Sequence, residues 1–157
     1  MKKVLINTPD LRNKGGVAQY YTLMNLVTEK NIEYFNINNF GNNAFLRLLK
    51  TYTQFKRKIT TFDVVVLNPS LDKKSFFRDS VFMWLTLKAN KKVIVFWHGW
   101  GNDFEKKLRP NSFLQKIFNA TFARASKTIV LSEIFQNKLI QLGVTASFHI
   151  ETMPISN

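Results

Sequence analysis

Lys92-Val93-Ile94-Val95-Phe96-Trp97-His98-Gly99 is the stretch whose reading decides the fold. Its apolar core shows no polar alternation, so a strand here buries both faces. Strands of that kind belong to parallel sheets sheathed by helices. Asp63-Val64-Val65-Val66-Leu67-Asn68 has the same character. Outward from these two, strand-like segments read at 4–8, 32–37, 63–68, 92–97, 127–131 and 148–151. Helical periodicity fills the gaps at 16–30, 45–59, 74–88 and 112–125. Ser132 can N-cap a further helix that Gly143 ends. The inward stripes are predicted as Val17, Tyr20, Tyr21, Met24 and Val27 in the first helix, and Phe45, Leu48, Leu49, Tyr52, Phe55 and Ile59 in the second. The third offers Phe77, Val81, Trp84 and Leu85, and the fourth Phe113, Leu114, Ile117, Phe118, Thr121, Phe122 and Ala125.

This alternation predicts an α/β domain with a doubly wound, mostly parallel sheet and helices on both faces. Crossovers between parallel strands are right-handed in about 98% of cases. The order 3-2-1-4-5-6 suits six such strands and makes the first and fourth neighbours at the switch point. Two loops would then open side by side at the carboxyl ends of the strands. One is Asn7-Thr8-Pro9-Asp10-Leu11-Arg12-Asn13-Lys14-Gly15-Gly16, the other His98-Gly99-Trp100-Gly101-Asn102-Asp103.

The totals narrow the class. A chain of 157 residues, 45% hydrophobic and 14% aromatic, has the size of one ordinary domain and is not disordered. No apolar run reaches the roughly 18–20 residues of a membrane span. The opening Met1-Lys2-Lys3-Val4-Leu5-Ile6 stops at Asn7, Pro9 and Asp10, which fits a first strand rather than a signal peptide. There is no cysteine, hence no disulfide and no thiolate zinc site. A cytoplasmic protein is expected. Lys and Arg number 23 against 10 Asp and Glu, a net charge of +13 that favours anionic partners without choosing among them.

Gly15-Gly16 at a helix start fits either a flexible turn or a place where backbone N–H groups approach an anion. It is not the dinucleotide fingerprint: no third glycine follows, and the second strand ends in Asn36, Asn38 and Asn39 with no acid for a ribose. A Walker lysine pattern and a nucleophile elbow are absent as well. His98, one of two histidines, stands just past a buried strand with Asp103 nearby, which makes it the candidate for hydrogen bonding or proton transfer to a reacting group. His149 reads as structural. Asn68 and the Ser132-Glu133 pair end their strands where each can serve a sugar contact or a turn and cap. The helix at 45–59 carries Arg47, Lys50, Lys56, Arg57 and Lys58 and no acid, so its basic face can meet an anionic membrane while its apolar face packs on the sheet.

Taken with these motifs, the chain resembles the N-terminal half of a GT-B-fold glycosyltransferase, of the retaining family 4 type that builds bacterial surface polysaccharides. The resemblance rests on the first strand leading to Gly15-Gly16-Val17-Ala18, on Val93-Ile94-Val95-Phe96-Trp97-His98-Gly99, and on Ile129-Val130-Leu131-Ser132-Glu133. It implies a Rossmann-like, acceptor-binding domain over 1–152, with 153–157 starting a linker to a missing C-terminal domain that binds the nucleotide sugar. It further implies that Gly15, Gly16 and Gly99 approach donor or acceptor, that His98 lines the reacting sugar, and that Asn68, Ser132 and Glu133 border the acceptor. No cofactor and no metal are expected beyond the nucleotide-sugar donor. The implied acceptor is a lipid-linked saccharide at the inner membrane face, and this half alone should be inactive. Relatives often carry a smaller residue before the histidine, so Trp97 and Trp100 imply a narrower, aromatic-lined acceptor site. Two other classes stay open: a free-standing basic module for nucleic acid or anionic membrane, and a small flavodoxin-like or nucleotide-binding enzyme.

Overall fold

The computed structural model describes residues 2–12, 15–24, 30–37 and 44–152. The predicted continuation of the first helix through Val27, the residues Asn13, Lys14, Asn38 and Asn39, and the linker at 153–157 lie outside the described residues. The chain runs β1 (Val4–Thr8), α1 (Gly16–Met24), β2 (Ile32–Asn36), α2 (Ala44–Lys58), β3 (Val64–Leu67) and β4 (Ser70–Leu71). It continues through α3 (Lys73–Lys88), β5 (Lys92–Phe96), β6 (Gly99–Trp100), α4 (Asn102–Leu108), α5 (Ser112–Ala120), β7 (Lys127–Val130), α6 (Glu133–Gln141) and β8 (Ser147–Ile150).

The main sheet is parallel throughout, in the order β2-β1-β3-β5-β7-β8. The fold is therefore α/β and Rossmann-like, as expected. The predicted order is corrected: β1 sits between β2 and β3, and β3 separates it from β5. The switch point lies between β1 and β3, the arrangement of the other common doubly wound class.

Handedness then decides which helices cover which face. The step from β1 to β2 goes one way along the sheet, and every later crossover goes the other way. Right-handed connections accordingly put α1 on one face and α2 to α6 on the opposite one. The core divides in the same way. Tyr20 and Tyr21 of α1 pack with Ile6, Val66 and Phe96. Phe55, Phe76, Phe82, Phe104, Phe118 and Leu139 from the other helices pack with Leu5, Val65, Val93, Val95 and Val130.

Local chemistry sets the helix ends. Asp72, Asn111 and Ser132 accept first-turn N–H groups of α3, α5 and α6. Gly143, at φ +99°, provides the left-handed turn after α6. Inside the α3 layer the buried Asp79 carboxylate is held by the Arg78 fork and the Ser75 hydroxyl. Tyr52 of α2 donates to the Arg78 carbonyl at 3.0 Å and ties the two helices together.

Several inward stripes were misassigned. Phe77 and Trp84 are 40% and 48% exposed, while α3 instead buries Phe76, Phe82 and Met83. Phe113 is 64% exposed, and Leu49 and Met24 also face out. α3 packs against α2 and α5 as well as on the sheet, which rotates its buried arc away from the stripe that periodicity alone selects.

Candidate functional site

The carboxyl ends of β1, β3 and β5 come together through one amide. Asn68, the first residue after β3, is buried, and its Nδ2 donates to the Asn7 carbonyl of β1 at 2.7 Å. That bond spans the switch point and fixes which way the amide faces. Its Oδ1 accepts from the Tyr21 hydroxyl at 2.8 Å and lies 3.0 Å from His98 Nε2. An amide oxygen only accepts, so Nε2 carries the proton and Nδ1 of the neutral ring carries a lone pair.

The ring is also held sideways. His98 packs on Phe96 with centroids 3.9 Å apart and meets Tyr20 edge-on at 5.7 Å. Burial drives its pKa down to about 4, so the imidazole is neutral at physiological pH. Burial likewise raises the Tyr21 phenol well above its ordinary value, and Tyr21 remains a donor. Nδ1 of His98 has no hydrogen-bond partner among the described residues. The partner that orients His98 is thus Asn68, and not the nearby Asp103, which stands on α4.

The loop carrying His98 is fixed by a ladder too short for periodicity to reveal. Ser70-Leu71 pairs in parallel with Gly99-Trp100 beyond the end of the main sheet. His98 N–H donates to the Pro69 carbonyl at 3.1 Å and Gly101 N–H to the Leu71 carbonyl at 2.9 Å. A Cβ on Gly99 would come within 2.7 Å of Ser70 Oγ, and one on Gly101 within 2.7 Å of the Leu71 carbonyl oxygen. These glycines let two strands approach closely. Behind them Trp100 stacks on Phe135 at 5.1 Å and donates to Glu105 at 2.6 Å, and Arg109 and Lys138 bind the same carboxylate. Burial alone would raise the Glu105 pKa, but those three donors outweigh it and hold it down at about 2.

Gly15 and Gly16 differ from the other two. A Cβ on either meets no atom within 4 Å, and neither has a positive φ. Nothing among the described residues requires glycine there. Both are exposed at the start of α1, whose first N–H groups lack intrahelical partners. Tyr20 and Tyr21, about one turn further along α1, are the residues that touch His98. The two loops therefore converge through α1, although β1 and β5 are not adjacent.

The remaining candidates scatter. Ser132 Oγ accepts the Phe135 N–H at 3.3 Å as the cap of α6, and Glu133 is the exposed first residue of that helix. Trp97 is 1% exposed and packs among Phe118 and Phe122 on the far face, so it does not line the site as the sequence implied. His149 pairs with Glu151 at 3.3 Å. Arg47, Lys50, Lys56 and Arg57 are exposed on α2, whereas Lys58 pairs with Glu33 of β2. Sequence reasoning missed Tyr21, whose place in a Tyr-Tyr doublet reads simply as core. Among the described residues no three metal-ligating side chains come together, and no helix is long and apolar enough to cross a membrane.

No family model matches the chain, and no curated protein matches it. A solved fold does. The chain is similar to Anabaena HepE, whose crystal structure was determined in complex with UDP, with a TM-score of 0.56 at 15% identity. The match covers 98% of this chain and 44% of HepE, so this chain spans less than half the length of HepE. At that identity the likeness to HepE establishes a shared Rossmann-like fold.

Proposed function

We propose that this chain is the acceptor-binding half of a GT-B-type sugar transferase. In this reading a sugar moves from a nucleoside-diphosphate donor to a saccharide acceptor, with retained configuration. The bond from the anomeric carbon to the diphosphate breaks, a bond to an acceptor oxygen forms, and the proton of the acceptor hydroxyl passes to the departing diphosphate. A second domain supplies most donor contacts. Its place in the reading is supported by the match to HepE, which leaves more than half of that UDP-bound chain uncovered. The acceptor we infer is lipid-linked and belongs to surface polysaccharide synthesis, with the protein held peripherally at the inner membrane face.

One observation carries the reading: a neutral histidine with a fixed tautomer, its Nδ1 unpartnered among the described residues, packed against Tyr20 and Tyr21 of the helix that Gly16 opens. A base with a pKa of about 4 takes few protons near neutrality. His98 therefore acts as a hydrogen-bond acceptor that orients a sugar hydroxyl through Nδ1, and Asn68 with Tyr21 positions it. Gly15 and Gly16 leave room for donor or acceptor to reach the backbone.

The test is transfer of labelled sugar from a panel of nucleotide sugars, UDP-sugars among them, to a lipid extract by the full-length natural protein. His98→Ala should lower turnover by about tenfold or more while melting stays cooperative. Unchanged turnover would remove His98 from the mechanism, and no transfer from any nucleotide sugar would end the transferase reading.

A further inference from the structure

One buried ion pair of α3 has no part in the bonding around the His98 ring. Asp79 is 3% exposed, and its carboxylate takes Arg78 Nε at 2.7 Å and Nη2 at 2.8 Å. Moving two charges out of water is unfavourable, and adjacent residues of a helix do not ordinarily face each other. Yet the pair ties α3 to no other element directly. Among the described residues, the side chains of Arg78 and Asp79 bond only to each other and to Ser75 of the same helix. Its effect leaves the helix through Ser75.

The Ser75 hydroxyl is used to capacity. Its proton goes to Asp79 Oδ2 at 2.9 Å, while its oxygen accepts from Arg78 Nη2 at 2.9 Å and from the Ser70 N–H at 3.2 Å. A hydroxyl has one proton and two lone pairs. The ion pair occupies the proton and one lone pair, which leaves the other aimed at Ser70. Ser70 opens β4, whose strand partner is β6.

A single peptide group carries that bond to the candidate site. The amide between Pro69 and Ser70 is planar, with its C=O and N–H pointing to opposite sides. Its N–H is the one held by Ser75, and its C=O accepts the His98 N–H at 3.1 Å. Asn68, the residue before this peptide, orients the His98 ring. The peptide itself fixes the His98 backbone.

We propose that Ser75, locked by the Arg78–Asp79 pair, is a positioning residue for His98, acting through the Pro69–Ser70 peptide. Its bearing on sugar transfer rests on the transferase reading, whereas its hold on His98 does not.

Removing Asp79 would strand a buried guanidinium, so the test uses Ser75→Ala, which keeps both Arg78–Asp79 bonds. Imidazole NMR of the full-length natural protein, assigned against His98→Gln, reads the His98 tautomer and pKa, with the exposed His149 as internal reference. Ser75→Ala should raise the His98 pKa by about one unit or more, as the ring gains solvent, and mix its tautomers while His149 stays unchanged. Tyr52→Phe is the control: it removes the bond to the Arg78 carbonyl, in the same stretch of α3, without touching Ser75. It should lower the melting temperature and leave His98 unchanged. An unmoved His98 in Ser75→Ala, or a Tyr52→Phe that moves it as far, would overturn the proposal, since the cluster would then only stabilise α3. Where transfer is measurable, Ser75→Ala should lower turnover about tenfold in the parent and no further on the His98→Ala background. Equal losses in both backgrounds would also overturn it. A parent that transfers no sugar would end the transferase reading and leave the imidazole result standing.

Discussion

His98 Nε2 sits 3.0 Å from an Asn68 oxygen that also accepts the Tyr21 hydroxyl at 2.8 Å. One amide thereby fixes a tautomer, buries a phenol and bridges β1 to β3. The histidine is held as a neutral group, and this has a measurable consequence for stability.

Folded His98 titrates at about 4, against about 6.5 for the unfolded chain. Between those values the unfolded state binds more protons, so stability rises with pH there. The contribution is complete above pH 6.5, declines as pH falls, and is gone below pH 4, a loss of at most about 3 kcal/mol. Urea unfolding of the parent and of His98→Gln at closely spaced pH values checks this. The parent should show the slope across the window and the variant a flatter line.

Removing the bridge should be worse than removing one end of it. Asn68→Ala leaves the Asn7 carbonyl, the Tyr21 hydroxyl and His98 Nε2 without their partner. The expected destabilisation is about 1–3 kcal/mol. Tyr21→Phe removes one donor and leaves Asn68 bonded to both Asn7 and His98, so about 1 kcal/mol is expected. Equilibrium denaturation of the two variants side by side gives the comparison, and equal losses would show that Asn68 is not the hub.

The glycines should divide into two pairs. Gly101→Ala drives a Cβ to 2.7 Å from a backbone oxygen, so the β4–β6 ladder must shift, at about 1–3 kcal/mol. Gly16→Ala meets nothing within 4 Å and gains helix propensity, so the fold should be neutral or up to about 1 kcal/mol more stable. If a ligand approaches the start of α1, the same Gly16→Ala should weaken nucleotide-sugar binding. Thermal melts and a binding titration on the two variants separate the cases.

Much of the fold was legible because its signals are long. Val64-Val65-Val66-Leu67 and Val93-Ile94-Val95-Phe96 declare buried parallel strands, and Ser132 and Gly143 mark the ends of α6 without tertiary information. The strand order was not legible: whether β1 neighbours β3 or β5 depends on which way the chain crosses after β2, and no local residue records that choice. The two-residue strands β4 and β6 and the short α4 fall below the length at which periodicity speaks. In the candidate site, His98 and Asn68 announced themselves by standing at strand ends. Their bond did not, since it joins residues 30 positions apart. Tyr21 was hidden because a phenol with a buried ring and a bonded hydroxyl follows the same helical pattern as any core residue.

In the order β2-β1-β3-β5-β7-β8, β2 lies on one side of β1 and β3 on the other, and β5, β7 and β8 follow outward in chain order. No strand has to be inserted between two that are already joined. A chain emerging from the ribosome can therefore lay down this sheet in the order of its synthesis, each newcomer finding an open edge and no ladder ever reopening to admit it.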